Sequence, residues 1–429
     1  MDFNHSPQAI ALRRRLEAFM DRFVLPYNAA WHQSVRVGIY PPPFMEDLKS
    51  LAREEGLWNL FLPGLRDGEP GTRVSNLDYA PLAETMGRLP WAAEVFNCSA
   101  PDTGNIELLH RFASQEQAAR WLGPLLDGRI RSAFAMSEPD VASSDPTNLQ
   151  TTVRRSGSQL VLNGRKWFIT GAAHPDCRVL FVMARNDDED VDSSESHARH
   201  SMVLVPLDNP GVHVVRNIAM LAHQAPEGHC EIVLRDVRVP AENLLGGWGE
   251  GFRMAQARLG PGRMHHCMRT IGQCELALEL ASERVLERRA FGRYLSDFSN
   301  IQEWIALSRI EIDQARLLVL HAAWMLDQHC PDVPHLRSDI AAIKVVAARL
   351  QTRVVDRAMQ IFGAMGLSPD TPLAWFWSWG RALQLMDGPD EVHLRTVARH
   401  ELERARSRTG AGSAYFTTPE QLEAAPRLR

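Results

Sequence analysis

The chain has 429 residues, of which 45% are hydrophobic and 23% charged, with a formal net charge of −5. The length suggests two or three domains, and the proportions are those of an ordinary globular chain. An acidic balance leaves no basic surplus to grip a phosphate backbone, which excludes nucleic acid as an expected partner.

The first segments read as helix. "AIALRRRLEAFMDRFVLP" places Leu12, Leu16, Phe19 and Phe23 on one face and stops at Pro26. "PFMEDLKSLAREEGLW" repeats the rule with Phe44, Leu48, Leu51 and Leu57, and "QEQAARWLGPLLDG" closes the helical part near Gly128. The start lacks the apolar core of a signal peptide, and no 18-residue apolar run occurs. A soluble, cytoplasmic chain without membrane insertion is expected. Six cysteines, Cys98, Cys177, Cys230, Cys267, Cys274 and Cys330, are scattered with no Cys-x-x-Cys pair and no zinc-spaced histidine. A disulfide set stays open, although spread cysteines in a large chain fit reduced thiols better. No metal site is expected.

From about Arg131 the period becomes two. "QLVLNGRKWFITGA" predicts two strands around an Asn163-Gly164 type I′ turn. "CRVLFVMARN", "SMVLVPLD", "GVHVVRNI" and "CEIVLRDVRVP" follow as strands, with the acidic "NDDEDVDSSESHARH" between two of them as a mobile surface loop. A small barrel or sandwich is expected. After a flexible turn in "NLLGGWGEGF", helical patterns over residues 251–290, 300–330, 336–364 and 390–408 predict a four-helix bundle. The expected architecture is an α+β multidomain chain: an N-terminal α-helical domain over 1–130, a middle β-barrel or sandwich domain over 131–245, and a C-terminal bundle over 246–429.

Rossmann, Walker A, Gly-x-Ser-x-Gly and His-Glu-x-x-His signatures are absent. Four other motifs stand out. "AFAMSEPDVASSD" (133–145) marks the switch from helix to strand; taken alone it reads as a loop. In "GRKWFITGA", the adjacent Trp167 and Phe168 should face opposite sides of a strand, leaving one ring for a ligand, a partner domain or water. "RRAFGRYL" and "MQIFGAMG" each put an aromatic residue and a glycine just past a helix. Either glycine could be a C′ cap, or the freed amides beside Arg288 could hold a pyrophosphate.

A fifth stretch, "LQLMDGPDEVH" (383–393), interrupts a helical run. Asp387 lies at a helix C-terminus, where the dipole disfavours an anion. It could be a surface carboxylate, the N-cap of the next helix with Asp390 and Glu391 in the first turn, or a base.

Together these motifs resemble the acyl-CoA dehydrogenase family along nearly the whole chain. "EPDVASSD", "LGPGRMHHCMRT" and "DGPDEVHL" are similar to the wording of the branch of family members 10 and 11, without the kinase-like domain of those larger proteins. The resemblance implies FAD. It places Phe134, Met136, Ser137, Trp167, Phe168 and Thr170 around the flavin ring, with donors that stabilise the charge the ring gains on accepting hydride. It places Arg288, Phe291, Gln360 and Gly363 on the pyrophosphate and adenosine of a neighbouring subunit's FAD, and Glu391 near the cofactor. At least a homodimer is therefore implied, as dimer or tetramer, with an electron-transfer flavoprotein as acceptor. Ser143 or Ser144, Arg263 and Gly388 fall near the acyl-CoA substrate.

Asp387 falls where most relatives carry the catalytic glutamate that removes the α-proton of the thioester. Some relatives use the residue before Arg263 instead; here that is Gly262. Burial is expected to raise the pKa of Asp387. Its side chain is one methylene short, so the backbone must come closer, the substrate sit deeper, or the chemistry differ. Ser299, Ala364 and Pro389 also depart from common family residues. Arg263 and His266 share a helical face with Thr270. They are either ordinary bundle residues or ligands of a polar or anionic group on the acyl chain, as the branch's association with 4-hydroxyacyl and 4-phosphoacyl-CoA implies. Trp375, Trp377 and Trp379 either wall a wide pocket or divide between core and surface. The alternative activity is that of a nitroalkane-oxidase-like flavoprotein using Asp387 without CoA.

Overall fold

The computed structural model describes residues 5–187, 196–221, 223–328, 334–408, 412 and 415–423. Most of the expected acidic loop, and Cys330, lie outside the described residues.

The N-terminal region is helical: α1 (Pro7–Phe19), α2 (Asn28–Arg36), α3 (Met45–Glu54), α4 (Asn76–Gly87), α5 (Ala92–Val95), α6 (Asp102–Phe112), α7 (Gln115–Gln117) and α8 (Gly123–Leu126). Ser6 caps α1 by accepting from the Ala9 amide, and Ser75 caps α4 through the Asp78 amide. Leu12, Leu16, Phe19, Leu48 and Leu57 are buried as their spacing required.

The middle region is β1 (Arg131–Ala135), β2 (Thr152–Ser156), β3 (Gln159–Thr170), β4 (Cys177–Asn186), β5 (His200–Pro206), β6 (Val212–Asn217), β7 (His229–Pro240) and β8 (Leu244–Leu245). They form one sheet in the order β6-β7-β3-β2-β4-β5-β8, with β1 parallel to β4. Among the described residues nothing pairs β6 with β8, so the sheet is open and not the closed barrel expected. The ends explain this: β6 is mostly exposed and β8 has two residues. Strands β4 and β5 are buried on both faces. Val179, Phe181, Met183, Met202 and Leu204 join the core of the N-terminal helices, while Leu180, Val182, Val203 and Val205 pack with Leu160, Leu162 and Ile232 on the other side.

Two local expectations fail here. Asn163-Gly164 is no hairpin turn. β3 runs straight through it with a register shift between Leu162 and Gly164, and the β2–β3 turn lies between Ser156 and Gln159. The shift is held from outside, because Asn163 Oδ1 accepts the Asp236 amide at 2.8 Å. Nor do Trp167 and Phe168 face opposite sides. Phe168 adopts φ +51° at a second shift between Lys166 and Ile169. This breaks the strand's alternation and leaves the two ring centroids 5.0 Å apart.

The C-terminal region holds α9 (Gly251–Glu287), the hairpin β9 (Arg289–Ala290) and β10 (Arg293–Tyr294), α10 (Ser299–Gln328), α11 (Pro334–Phe362), α12 (Leu373–Leu383), α13 (Asp390–Arg406) and α14 (Pro419–Glu423). The four expected long helices are present, with α12 added between the third and fourth. α9 and α4 cross at backbone contact: a Cβ on Gly272 would sit 1.9 Å from the Glu84 carbonyl oxygen, and one on Gly87 2.2 Å from that of Arg269. Only glycine permits that approach, and it fixes the face of α9 that carries His266. The five described cysteines are free and buried. No helix of the described residues is long and apolar enough to cross a membrane.

Candidate active site

Asp387 follows α12 in a left-handed conformation, φ +55°, and Gly388 continues it at +96°. Aspartate and glycine are among the few residues that accept this region readily. The turn closes where the Asp390 amide donates to the Gln384 carbonyl at 3.0 Å. Two side chains pin its apex: Arg263 Nε donates to the Asp387 carbonyl at 2.8 Å, and His393 Nε2 lies 3.2 Å from the same oxygen. A Cβ on Gly388 would come within 3.0 Å of His393 Nε2. The carboxylate is free of capping duty, because α13 begins at Asp390 behind Pro389 with no side-chain cap. It stands a quarter exposed, with Oδ2 3.4 Å from His266 Nε2. Arg263, His266 and Gly388 thus converge on Asp387.

The electrostatics reverse the expectation of a raised pKa. Burial alone pushes the Asp387 carboxyl up, but His266, Arg258, Arg263 and Lys344 together hold it below the usual carboxylate value. Sequence reasoning missed Arg258 and Lys344. Arg258 projects from α9 into the interior, where Nε donates to Asn105 Oδ1 at 2.9 Å and the guanidinium lies 4.1 Å over the Phe134 ring. Lys344, fully buried on α11, donates to the Leu383 carbonyl just before the turn. Near Arg258 lies Glu107 of α6. Burial pushes its carboxyl up to about 8, against the pull of Arg111 and Arg258. No sequence spacing links these positions, so nothing short of the fold could have gathered them.

The second cluster sits at the ends of β1 and β3. The Trp167 amide donates to the Ser137 carbonyl at 3.0 Å. Lys166 Nζ reaches the Met136 carbonyl at 2.9 Å and the Glu138 carboxylate at 2.8 Å, entirely buried. Phe134, Met136, Ser137, Trp167 and Thr170 are each partly exposed, and Phe168 is 43% exposed. The result is an apolar wall edged by two hydroxyls, one of which, Thr170 Oγ1, lies 2.9 Å from His229 Nδ1. Such a wall fits a flat heteroaromatic ring with polar edges. Arg258, over Phe134, links it to the Asp387 cluster.

Other expected residues lie elsewhere. Ser143 is occupied internally, its Oγ accepting the Glu138 amide at 2.8 Å, whereas Ser144 is exposed. Arg288, Phe291, Gln360, Gly363 and Glu391 are all exposed, Phe291 by 97%. Gly292 is no helix cap; with Phe291 (φ +52°) it forms the two-residue turn of the β9–β10 hairpin, while Gly363 follows α11 directly at +65°. Arg284 lies 5.6 Å from the Phe362 ring and so draws the two glycine motifs together. They remain remote from Asp387, since Gln360 is sixteen residues along α11 from Lys344, about 24 Å at helical rise. Trp375 and Trp379 stack at 5.3 Å, forming a wall behind His266, whose ring is 6.4 Å from Trp379. Trp377 packs toward the bundle core.

Comparison with known families agrees along the chain. Models for the N-terminal, middle and C-terminal domains of acyl-CoA dehydrogenase match residues 6–129, 133–237 and 249–402. Fold and matches define an FAD-dependent oxidoreductase of fatty acid metabolism. FadE2 of Mycobacterium tuberculosis, described as an acyl-CoA dehydrogenase, is 51% identical over 95% of this chain and 98% of its own length. Acyl-CoA dehydrogenase family member 10 of Mus musculus is 48% identical over 93% of this chain, which spans only 37% of that longer protein. Butyryl-CoA dehydrogenase from Megasphaera elsdenii superposes with a TM-score of 0.77 at 26% identity, over 94% of this chain and all of that one. The chain belongs to the acyl-CoA dehydrogenase family.

Proposed function

We propose that this chain dehydrogenates an acyl-CoA thioester between its α and β carbons, with Asp387 as the base. The observation that carries the reading is the Asp387 carboxylate itself, uncapped and held ionised by surrounding cations in a turn pinned by Arg263. Asp387 takes the α-proton as the β-hydrogen leaves with its electron pair. FAD, when bound, supplies the hydride acceptor. Phe134, Met136, Ser137, Trp167, Phe168 and Thr170 would hold its ring. Arg288, Phe291, Gln360 and Gly363, exposed and remote from the base, would meet the cofactor of a neighbouring subunit, with Glu391 near the cofactor, so the working form is a homo-oligomer. An electron-transfer flavoprotein would take the electrons onward.

The cations Arg258, Arg263 and Lys344 around a single carboxylate, with His266 beside it, favour an acyl chain bearing a polar or anionic substituent over a plain alkyl chain. Ser144, Arg263 and Gly388 would contact the substrate. The aspartate in place of glutamate is what favours the nitroalkane-oxidase-like alternative. An anaerobic flavin-bleaching screen over straight, branched and 4-hydroxy acyl-CoAs and a small nitroalkane decides. Bleaching by a substituted acyl-CoA is the expected outcome, whereas bleaching only by a nitroalkane would overturn the proposal.

A further inference from the structure

We infer that His266 is the positioning residue of the base: its Nε2, 3.4 Å from Asp387 Oδ2, steers the carboxylate as a proton donor and leaves Oδ1 as the proton acceptor. The inference rests on the role of Asp387 proposed above.

The ring's protonation follows from its neighbours. Arg269 places a terminal guanidinium nitrogen 3.2 Å from His266 Nδ1, and its other end reaches the Cys98 carbonyl at 3.4 Å. A guanidinium only donates, so Nδ1 must present its lone pair. The neutral ring then carries its proton on Nε2, the atom that faces Asp387. A doubly protonated ring would set N–H against N–H at Arg269, so His266 cannot take the α-proton onward from Asp387. Its part is to donate.

Asp387 is ringed by other groups: Arg258 and Arg263 on α9, Lys344 on α11, and His393 on α13, whose ring meets the carbonyl and not the carboxylate, while Arg269 on α9 acts on His266. Asp390 of α13 is paired with Arg349 at 2.8 Å, Glu107 of α6 acts through Arg258, and α12 contributes only the Trp379 wall. Among the described residues, His266 alone places a cationic or ring nitrogen within 4 Å of the carboxylate, and Oδ2 is the oxygen it approaches. The cations thus supply field, whereas His266 supplies direction. The 3.4 Å separation is long for a hydrogen bond, as catalytic hydrogen bonds often are before substrate binds.

The test uses the FAD-loaded full chain and its H266Q, H266F and D387N variants. Anaerobic flavin reduction by the fastest acyl-CoA of the screen is followed from about pH 4 to about pH 9. Without the donor, Asp387 protonates more readily. H266F should therefore move the low-pH limb upward by about one to two pH units, so that the rate lost at the acid end of the range recovers at high pH. H266Q, whose amide can donate from the same place, should restore the limb. D387N separates the two readings: if it reduces flavin normally, Asp387 is not the base, whatever His266 does. A readout independent of turnover is the 15N spectrum of histidine-labelled protein at neutral pH, in which the signal missing from H266Q should show the Nε2–H tautomer. An Nδ1–H or doubly protonated ring, or an H266F variant with the wild-type pH profile, would overturn the inference.

Discussion

The molecule buries two clusters of charge, and they are built differently. Between the N-terminal helices and the sheet, Arg131 meets the Asp102 carboxylate at 2.5 Å and that of Glu94 at 3.1 Å, and donates to Ser99. Lys49 adds a second cation 3.3 Å from Glu94, and the Ser132 amide and hydroxyl complete Asp102. Cation answers anion at short range, Arg131 and Lys49 against Glu94 and Asp102. Around Asp387 the balance is broken: Arg258, Arg263 and Lys344 face a single carboxylate, and Glu107 is pushed toward its neutral form. Matched buried charge ties helices to sheet, whereas unmatched buried charge sits where a ligand or a reaction completes it.

Substitutions can break or sharpen that contrast. Asp387→Asn should cut anaerobic flavin reduction by roughly a hundredfold to ten-thousandfold, a larger effect than its cost in stability, which comes from the loss of a carboxylate held ionised by its neighbours. In the matched cluster the opposite pattern is expected. Arg131→Met strands Glu94 and Asp102, and denaturant unfolding should show a loss of about 3–5 kcal/mol. The Glu94 carboxyl, pushed up by burial but held well below its ordinary value by Arg131, His174 and Lys49, adds a sign to this. Its stabilisation is present above the unfolded-state value and is lost as pH falls, so the gap between wild type and Arg131→Met should narrow in acid.

Gly388→Ala is a subtler blow to the reactive turn. A methyl group at φ +96° and 3.0 Å from His393 Nε2 must shift the Asp387 carbonyl. Stopped-flow reduction should slow by up to about a hundredfold, the cost of displacing a reacting group by about 1 Å. The smallest effect belongs to Glu107. Its raised folded value means that the native state keeps a proton which the unfolded chain releases, so wild-type stability declines from the unfolded value near 4.5 up to about 8. Glu107→Gln should melt higher than wild type at pH 8 and equal to it near pH 4.5. A constant difference across that range would mean that Glu107 is ionised in the fold.

Much of the architecture was legible because periodicity is local. The change from helical spacing to alternation near Arg131, and back again after Leu245, needs only side chains a few residues apart. Resemblance in "DGPDEVHL" singled out Asp387 in the same way. Local rules failed where distant chain intervened. Asn163-Gly164 had the chemistry of a tight turn, but β7 held it in a strand through Asp236. Trp167 and Phe168 would have alternated had the register not shifted beside them.

The sequence by itself determined the succession of helical, β and helical regions, and which carboxylate stands in the turn before the last long helix. Tertiary structure alone decided that carboxylate's ionisation and aim. The sign of its pKa shift comes from the His266 ring beside it and the charges of Arg258, Arg263 and Lys344, and the Arg263 contact spans 124 residues. A field sums charges through space with no regard to order along the chain, so a motif can name the group but not the value at which it holds a proton.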